Sequence, residues 1–125
     1  TLRSSSAASD VYKRQGPYDV DRMRTLLAGS EWSDLRVVGT GFAIHVTERG
    51  VNKRSALEIQ LSRRGIDPSE VLSCGDALND VPMFNLTGYS VAVDGTIAEV
   101  RDAADSVTQK KGPLGVIEML ELLLR

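Results

Sequence analysis

The sequence holds a single cysteine, Cys74, which excludes an internal disulfide and fits a reducing, cytoplasmic setting. Cys74 lies in an apolar run and reads as a buried small hydrophobe rather than a reactive thiol. The sequence also lacks a basic excess. Its 15 Lys and Arg face 17 Asp and Glu for a formal net charge of −2, a balance that argues against a nucleic-acid surface. Long apolar runs are missing as well. The longest aliphatic stretch, Met119–Leu124, is interrupted by Glu121 and falls well short of a membrane span. What is left, 42% hydrophobic and 26% charged over 125 residues, suits one modest globular domain with a real core.

The first fifteen residues, "TLRSSSAASDVYKRQ", are Ser/Ala-rich and basic, without periodicity. They lack the apolar segment of a secretory signal, and only their composition fits a transit peptide. The string resembles translated adapter-like sequence at the ends of reading frames from fragmented assemblies. Residues 1–15 are therefore expected to be non-native, with the natural chain continuing upstream of Gly16.

From there "PYDVDRMRTLLAGS" reads as a helix, with Val20, Met23, Leu26 and Leu27 on one face. Asp19 or Asp21 caps its start and Gly29 stops it. "LRVVGTG" and "FAIHVTE" follow as two short strands around a turn marked by Gly39 and Gly41. In the second, Phe42, Ile44 and Val46 alternate with Ala43, His45 and Thr47. Trp32 and Tyr18 are expected to pack in this α+β piece, and His45 on its strand reads either as facing a substrate or, more plainly, as an outward, solvated histidine.

After "ERGVNK" the texture changes. Ala56, Leu57 and Leu61 take helical spacing, between an Asn52 cap and a Gly65 stop. Asp67, Pro68 and Glu70 read as a capping box. "VLSC" is a short buried strand, "DVPMFNLTG" a helix ended by Gly88, and "YSVAV" a strand leading to the Asp94-Gly95 turn. "TIAEVRDAA" is a helix boxed by Thr96 and Glu99, and "DSVT" is another strand. An amphipathic helix closes the chain after Lys111-Gly112-Pro113. Strands alternating with helices at this spacing predict an α/β fold with a parallel sheet.

Functional groups in such sheets gather beyond the carboxyl ends of the strands. Asp76 stands where "VLSC" runs out, Gly75 permits close backbone approach, and Asp80 follows within the next turn. Both carboxylates then converge near a helix start, as hard oxygen ligands for Mg²⁺ or as an Asp-rich turn with an N-cap. Lys53 adds to this. It begins a predicted helix, where a cation is disfavoured unless an anion lies beside it. Solvation of Lys53 and Arg54 is the plainer reading of that pair alone.

"GVNKRSAL", "VLSCGDALNDVPMF", "SVAVDGTIAEVRDAAD" and "GPLGVIEML" together resemble the C-terminal portion of a haloacid dehalogenase superfamily phosphatase with a type-2 cap. Within that superfamily "GFAIHVTERGVNK" is most similar to archaeal-type phosphoglycolate phosphatases. Sucrose-phosphate and Cof-type sugar phosphatases are near neighbours. The resemblance implies that residues 50–125 are the C-terminal half of a Rossmann-like parallel-sheet core and residues 16–49 the tail of an α+β cap. It implies a cytoplasmic enzyme that hydrolyses a small phosphorylated metabolite through an aspartyl-phosphate. Lys53 and Asn79 would bind the phosphoryl group, and Asp76 and Asp80 would anchor Mg²⁺, directly or through water.

The Asp-x-Asp strand that carries nucleophile and acid/base in that family has no match. Asp19-Val20-Asp21 has the spacing but heads a predicted helix with no buried strand before it. The Ser/Thr strand that gives another phosphate contact is also unmatched. The chain alone is accordingly expected to be inactive and poorly folded, with an unpaired edge on the "VLSC" strand. A non-catalytic Rossmann-like binding module is the rival reading. A receiver-like domain is disfavoured because its acidic pair precedes its lysine. Gly112 and Gly115 are read either as lying beside the site's mouth or as a plain helix-start loop.

Overall fold

The computed structural model describes residues 19–40 and 43–125; the 1–15 segment, Gly16, Tyr18, Gly41 and Phe42 lie outside the described residues. The chain forms two units, Thr1–Arg49 and Gly50–Arg125.

In the first unit, helix α1 (Val20–Ala28) starts where the Asp19 side chain accepts the Arg22 N–H at 2.8 Å, and Gly29 caps its end. Strands β1 (Arg36–Gly39) and β2 (Ile44–Thr47) pair antiparallel, Val37 opposite Val46. A Cβ on Gly39 would lie 2.7 Å from Val20 Cγ2, so glycine lets the helix settle on β1. Three expectations change here. Leu26 points to solvent while Val20, Met23 and Leu27 are half-buried. Val46 is exposed where its partner Val37 is buried, because α1 lies along β1 rather than β2. Trp32, in the turn after α1, is 57% exposed rather than packed.

In the second unit, α2 (Lys53–Arg64) begins with a full capping box. Asn52 Oδ1 accepts the Ser55 N–H, and Ser55 Oγ accepts the Asn52 N–H. Gly65 ends the helix in the left-handed conformation at φ 65°. Leu61 is buried and Leu57 half-buried, whereas Ala56 faces solvent. Asp67 caps only a 3-10 turn, Pro68–Glu70, through Ser69 and without a contribution from Glu70.

Strands β3 (Leu72–Gly75), β4 (Tyr89–Asp94) and β5 (Ser106–Lys111) form a parallel sheet in the order β3-β4-β5. This is the α/β architecture that the alternating pattern predicts. The crossovers carry α3 (Val81–Phe84) and α4 (Ala98–Asp102), which place Phe84 and Val100 against Ala92. Val91 and Val93 alternate to the other face, which meets α5 (Pro113–Leu123). Gly115 makes that contact possible, since a Cβ there would be 2.4 Å from the Lys110 carbonyl and 2.5 Å from Thr108 Oγ1.

Two helices are shorter than predicted. The chain leaves α3 after one turn, where Thr87 Oγ1 bonds Ser73 Oγ at 2.6 Å and ties the segment to β3. The expected Thr96–Glu99 box does not form. Ile97 is the N-cap of α4, without a side-chain bond, and the Thr96 hydroxyl is used elsewhere. Helix α5 also leaves apolar side chains open to solvent: Leu114 and Leu120 are exposed, as is Leu124 just past its end. Among the described residues no helix is long and apolar enough to cross a membrane.

Candidate active site at the carboxyl edge of the parallel sheet

Strand β3 ends at Gly75, and the loop of residues 76–80 turns back into α3. Its fold is dictated by Asp80. That side chain is 3% exposed, and its Oδ2 accepts the N–H groups of Asp76 at 2.9 Å and Ala77 at 3.1 Å. Its Oδ1 is paired with Lys53 Nζ at the start of α2. A buried carboxylate is tolerated only when its oxygens are so engaged. Although Asp80 occupies the N-cap position of α3, it makes no capping bond there. Gly75 is required for the arrangement, because a Cβ on it would come within 2.5 Å of Asp80 Cβ, Cγ and Oδ2.

The lysine at the helix start therefore has an anion beside it from within the protein. The unfavourable placement of Lys53 on the helix dipole is offset by Asp80, so it does not by itself require a ligand. Lys53 nevertheless keeps 49% of its side chain exposed. It faces a cavity of about 600 Å³ with Cys74, Gly75, Asp76, Asp80 and Gly112. Val93, Pro113, Val116 and Ile117 form its apolar wall.

Asp76 differs from Asp80 in every respect. It is exposed, and no protein donor engages its carboxylate among the described residues. Its backbone, in contrast, is tied down on both sides. Its N–H goes to Asp80, and its carbonyl accepts the Thr96 hydroxyl at 2.5 Å from the β4–α4 turn. Asn79, between the two acids, has a buried Oδ1 without a hydrogen-bond partner. A buried orphan oxygen of this kind calls for a donor or a cation that the described chain does not supply.

A hard cation fits this donor set only in part. Asp76 lines the cavity with a free carboxylate, Asp80 keeps one lone-pair site on Oδ1 beside its partners, and Asn79, whose unpartnered oxygen is buried, is not among the residues that line the cavity. Among the described residues no group of three or more His, Cys, Asp or Glu is placed to hold a metal ion. A divalent ion held here would take the rest of its coordination shell from substrate, water or other protein oxygens.

Cys74 lines the cavity and is half-buried rather than fully enclosed. Burial pushes its thiol up from the ordinary value, and the charges of Asp80 and Asp76 push it further the same way. It is thus protonated and a poor nucleophile at neutral pH. Gly112 lies at the cavity with φ 54°, whereas Gly115 is a packing contact between α5 and β5. A second groove of about 260 Å³ lies between α5 and the sheet. Glu118, which lines it, has both carboxylate oxygens engaged by the N–H groups of Gln109 and Lys110.

His45 is exposed on β2 of the first unit, its Nε2 3.3 Å from Thr40 Oγ1. Asp19 is the α1 cap, and Asp21 is exposed and paired with Arg24. Neither is seated as a nucleophile at the end of a buried strand. Thr96 and the apolar wall from α5 are the members of the site that the sequence alone does not reveal.

Known proteins are similar to this chain over most of its length. A phosphoglycolate phosphatase of Methanothermobacter thermautotrophicus is 44% identical over 85 residues, covering 68% of this chain and 38% of that protein. One of Archaeoglobus fulgidus is 33% identical over 115 residues, covering 92% of this chain and 50% of the relative. The crystal structure of SMU.1108c from Streptococcus mutans UA159 superimposes with a TM-score of 0.72 at 26% identity, over 82% of this chain and 40% of that one. The chain thus spans half or less of the length of these proteins. With residues 11–120 matching the model of the haloacid dehalogenase-like hydrolases, the chain belongs to that family.

Proposed function

We propose that this chain supplies the phosphate- and metal-binding half of a phosphomonoester hydrolase acting on 2-phosphoglycolate. The observation that carries this reading is the Lys53–Asp80 pair set beside the free Asp76 carboxylate, at the carboxyl edge of a parallel sheet and on one cavity. The names of the two curated relatives support the substrate.

In this mechanism Lys53, held by Asp80, places its ammonium against the phosphoryl oxygens and offsets charge that grows in the transition state. Asn79 positions the same group by hydrogen bonding. Asp76, whose carboxylate alone of the acidic pair is unengaged, is the ligand this chain offers to a divalent cation, here Mg²⁺. Asp80 contributes by ordering Lys53 and the loop. When bound, the cation screens the phosphate so that an anionic nucleophile can approach. The nucleophile is an aspartate: its oxygen bonds to phosphorus as the glycolate oxygen leaves with a proton, and water then hydrolyses the acyl phosphate.

No described residue takes the nucleophile's part, so the activity is assigned to a longer protein, and the 125-residue chain alone is expected to be inactive. Residues 16–49 are assigned to the tail of a cap and residues 50–125 to the C-terminal half of the core.

The test is a chimera in which residues 50–125 replace the matching part of the Methanothermobacter relative. The expected result is Mg²⁺-dependent release of phosphate from 2-phosphoglycolate, ahead of sucrose 6-phosphate and hexose phosphates. Lys53→Ala and Asp76→Ala should each reduce kcat by about 10²-fold or more. A folded but inactive chimera, or full activity in either variant, would refute the assignment.

A further inference from the structure

Resting on that reading of Asp76, we propose that Thr96 is a positioning residue of the site: its hydroxyl, donated to the Asp76 carbonyl, fixes the loop that displays the Asp76 carboxylate to a divalent cation. Twenty residues separate the two in sequence, and they sit on different crossovers of the sheet.

The case is one of hydrogen-bond accounting. A loop residue whose side chain must stay free for a ligand can be fixed only through its backbone. At Asp76 both backbone groups are claimed, the N–H by Asp80 Oδ2 at 2.9 Å and the C=O by Thr96 Oγ1 at 2.5 Å. The following N–H, of Ala77, is also held by Asp80. Asp80 thereby anchors the β3 side of the peptide plane, and Thr96 anchors its other side from the end of β4.

The Thr96 hydroxyl stands at a helix entry where its expected use is to cap α4. It leaves that helix without a side-chain cap and turns to the loop instead. Giving up a local cap for a distant carbonyl links the ends of β3 and β4, the two strands that lead to the site. The gain is a carboxylate held in one place before any cation arrives, which lowers the ordering cost of binding. Thr96 is not among the residues that line the cavity, so the role proposed for it is exercised through Asp76.

The test uses the chimera that carries residues 50–125, its Thr96→Val, Thr96→Ser and Asp76→Asn variants, and Mn²⁺ as the probe. Paramagnetic broadening of the amide signals of residues 75–80 is followed by NMR as Mn²⁺ is added. Wild type and Thr96→Ser are expected to titrate alike, and Thr96→Val roughly fivefold more weakly, the worth of one hydrogen bond. Asp76→Asn should lose the selective effect.

In the same samples, hydrogen exchange at the Asp76 and Ala77 amides should quicken in Thr96→Val only, while the β4 core amides stay unchanged. Thr96→Val binding Mn²⁺ as wild type does, with Asp76→Asn deficient, would overturn the positioning role and leave the Asp76 reading intact. Equal binding by Asp76→Asn, or no selective broadening in wild type, would overturn the ligand role of Asp76 and the inference with it.

Discussion

Replacing Asp80 by asparagine keeps its shape and removes its charge, and the structure shows why the exchange is not conservative. The carboxylate accepts on two sides at once: Lys53 Nζ on Oδ1, and the N–H groups of Asp76 and Ala77 on Oδ2. An amide has one acceptor. With its oxygen toward the backbone, its NH₂ faces an ammonium; turned the other way, it orphans two N–H groups. The first orientation loses less. It removes the ion pair, which is worth at most about 1 kcal/mol because Lys53 is half exposed. It also strips charge assistance from two hydrogen bonds, for roughly another 1–1.5 kcal/mol. Finally it sets an unpaired donor in a buried position, at about 1 kcal/mol.

The total, about 3 kcal/mol, corresponds to a fall in Tm of roughly 12–24 °C for a domain of this size. Lys53→Met leaves Asp80 with its backbone donors but strips the buried Oδ1 of its partner, and should cost about 1–3 kcal/mol. Thermal unfolding of the three proteins at neutral pH, followed by circular dichroism, measures both numbers. A fall below about 4 °C for Asp80→Asn would refute the assignment of loop order to the buried carboxylate.

Gly75→Ala sets a methyl 2.5 Å from the Asp80 carboxylate, so it should destabilise by about 1–3 kcal/mol in urea unfolding and expose the Asp76 amide to exchange. Val100→Ala opens space beneath Phe84 and Ala92 in a fully buried position, for about 2 kcal/mol read as a lower urea midpoint at unchanged slope. The Ser69 N–H and hydroxyl hold Asp67 below the usual carboxylate value. Its folded pKa being the lower one, its contribution to stability is present above the ordinary value of 3.8 and is lost as pH falls through the folded value. The Tm difference between wild type and Asp67→Ala should therefore be present at neutral pH and shrink toward zero in acid; a difference that grows on acidification would contradict the cap.

Much of this architecture is legible in the sequence because it is written locally. Asn52, Ser55 and Gly65 delimit α2 through bonds within a few residues, so a reader of the string finds both ends of the helix. The short strands show by composition, and alternation with helices gives the parallel sheet. Where local chemistry had two outlets, the string could not choose. Thr96 had a helix to cap and a carbonyl 20 residues away, and tertiary geometry favoured the carbonyl. Val46 and Trp32 were expected to be covered because they are apolar, yet burial depends on what lies opposite, and α1 lies along β1.

The acidic pair shows the same limit most clearly. Spacing places Asp76 and Asp80 on one loop and suggests that they act together, as equals. Their environments separate them. Asp80 is inward because Gly75 leaves it room and because Lys53, 27 residues earlier, brings a cation to meet it. With Oδ2 taken by two of the loop's N–H groups and Oδ1 paired with Lys53, Asp80 keeps a single lone-pair site on Oδ1. Asp76 is then the carboxylate with more spare valence, fixed through its backbone and open at its side chain. On the proposed function two like acids divide into a scaffold and a ligand, a division made by the glycine, lysine and threonine around them rather than by the acids themselves. The division has a consequence that can be read directly: substitution at Asp80 should show first in stability, and substitution at Asp76 in cation binding with little change in Tm.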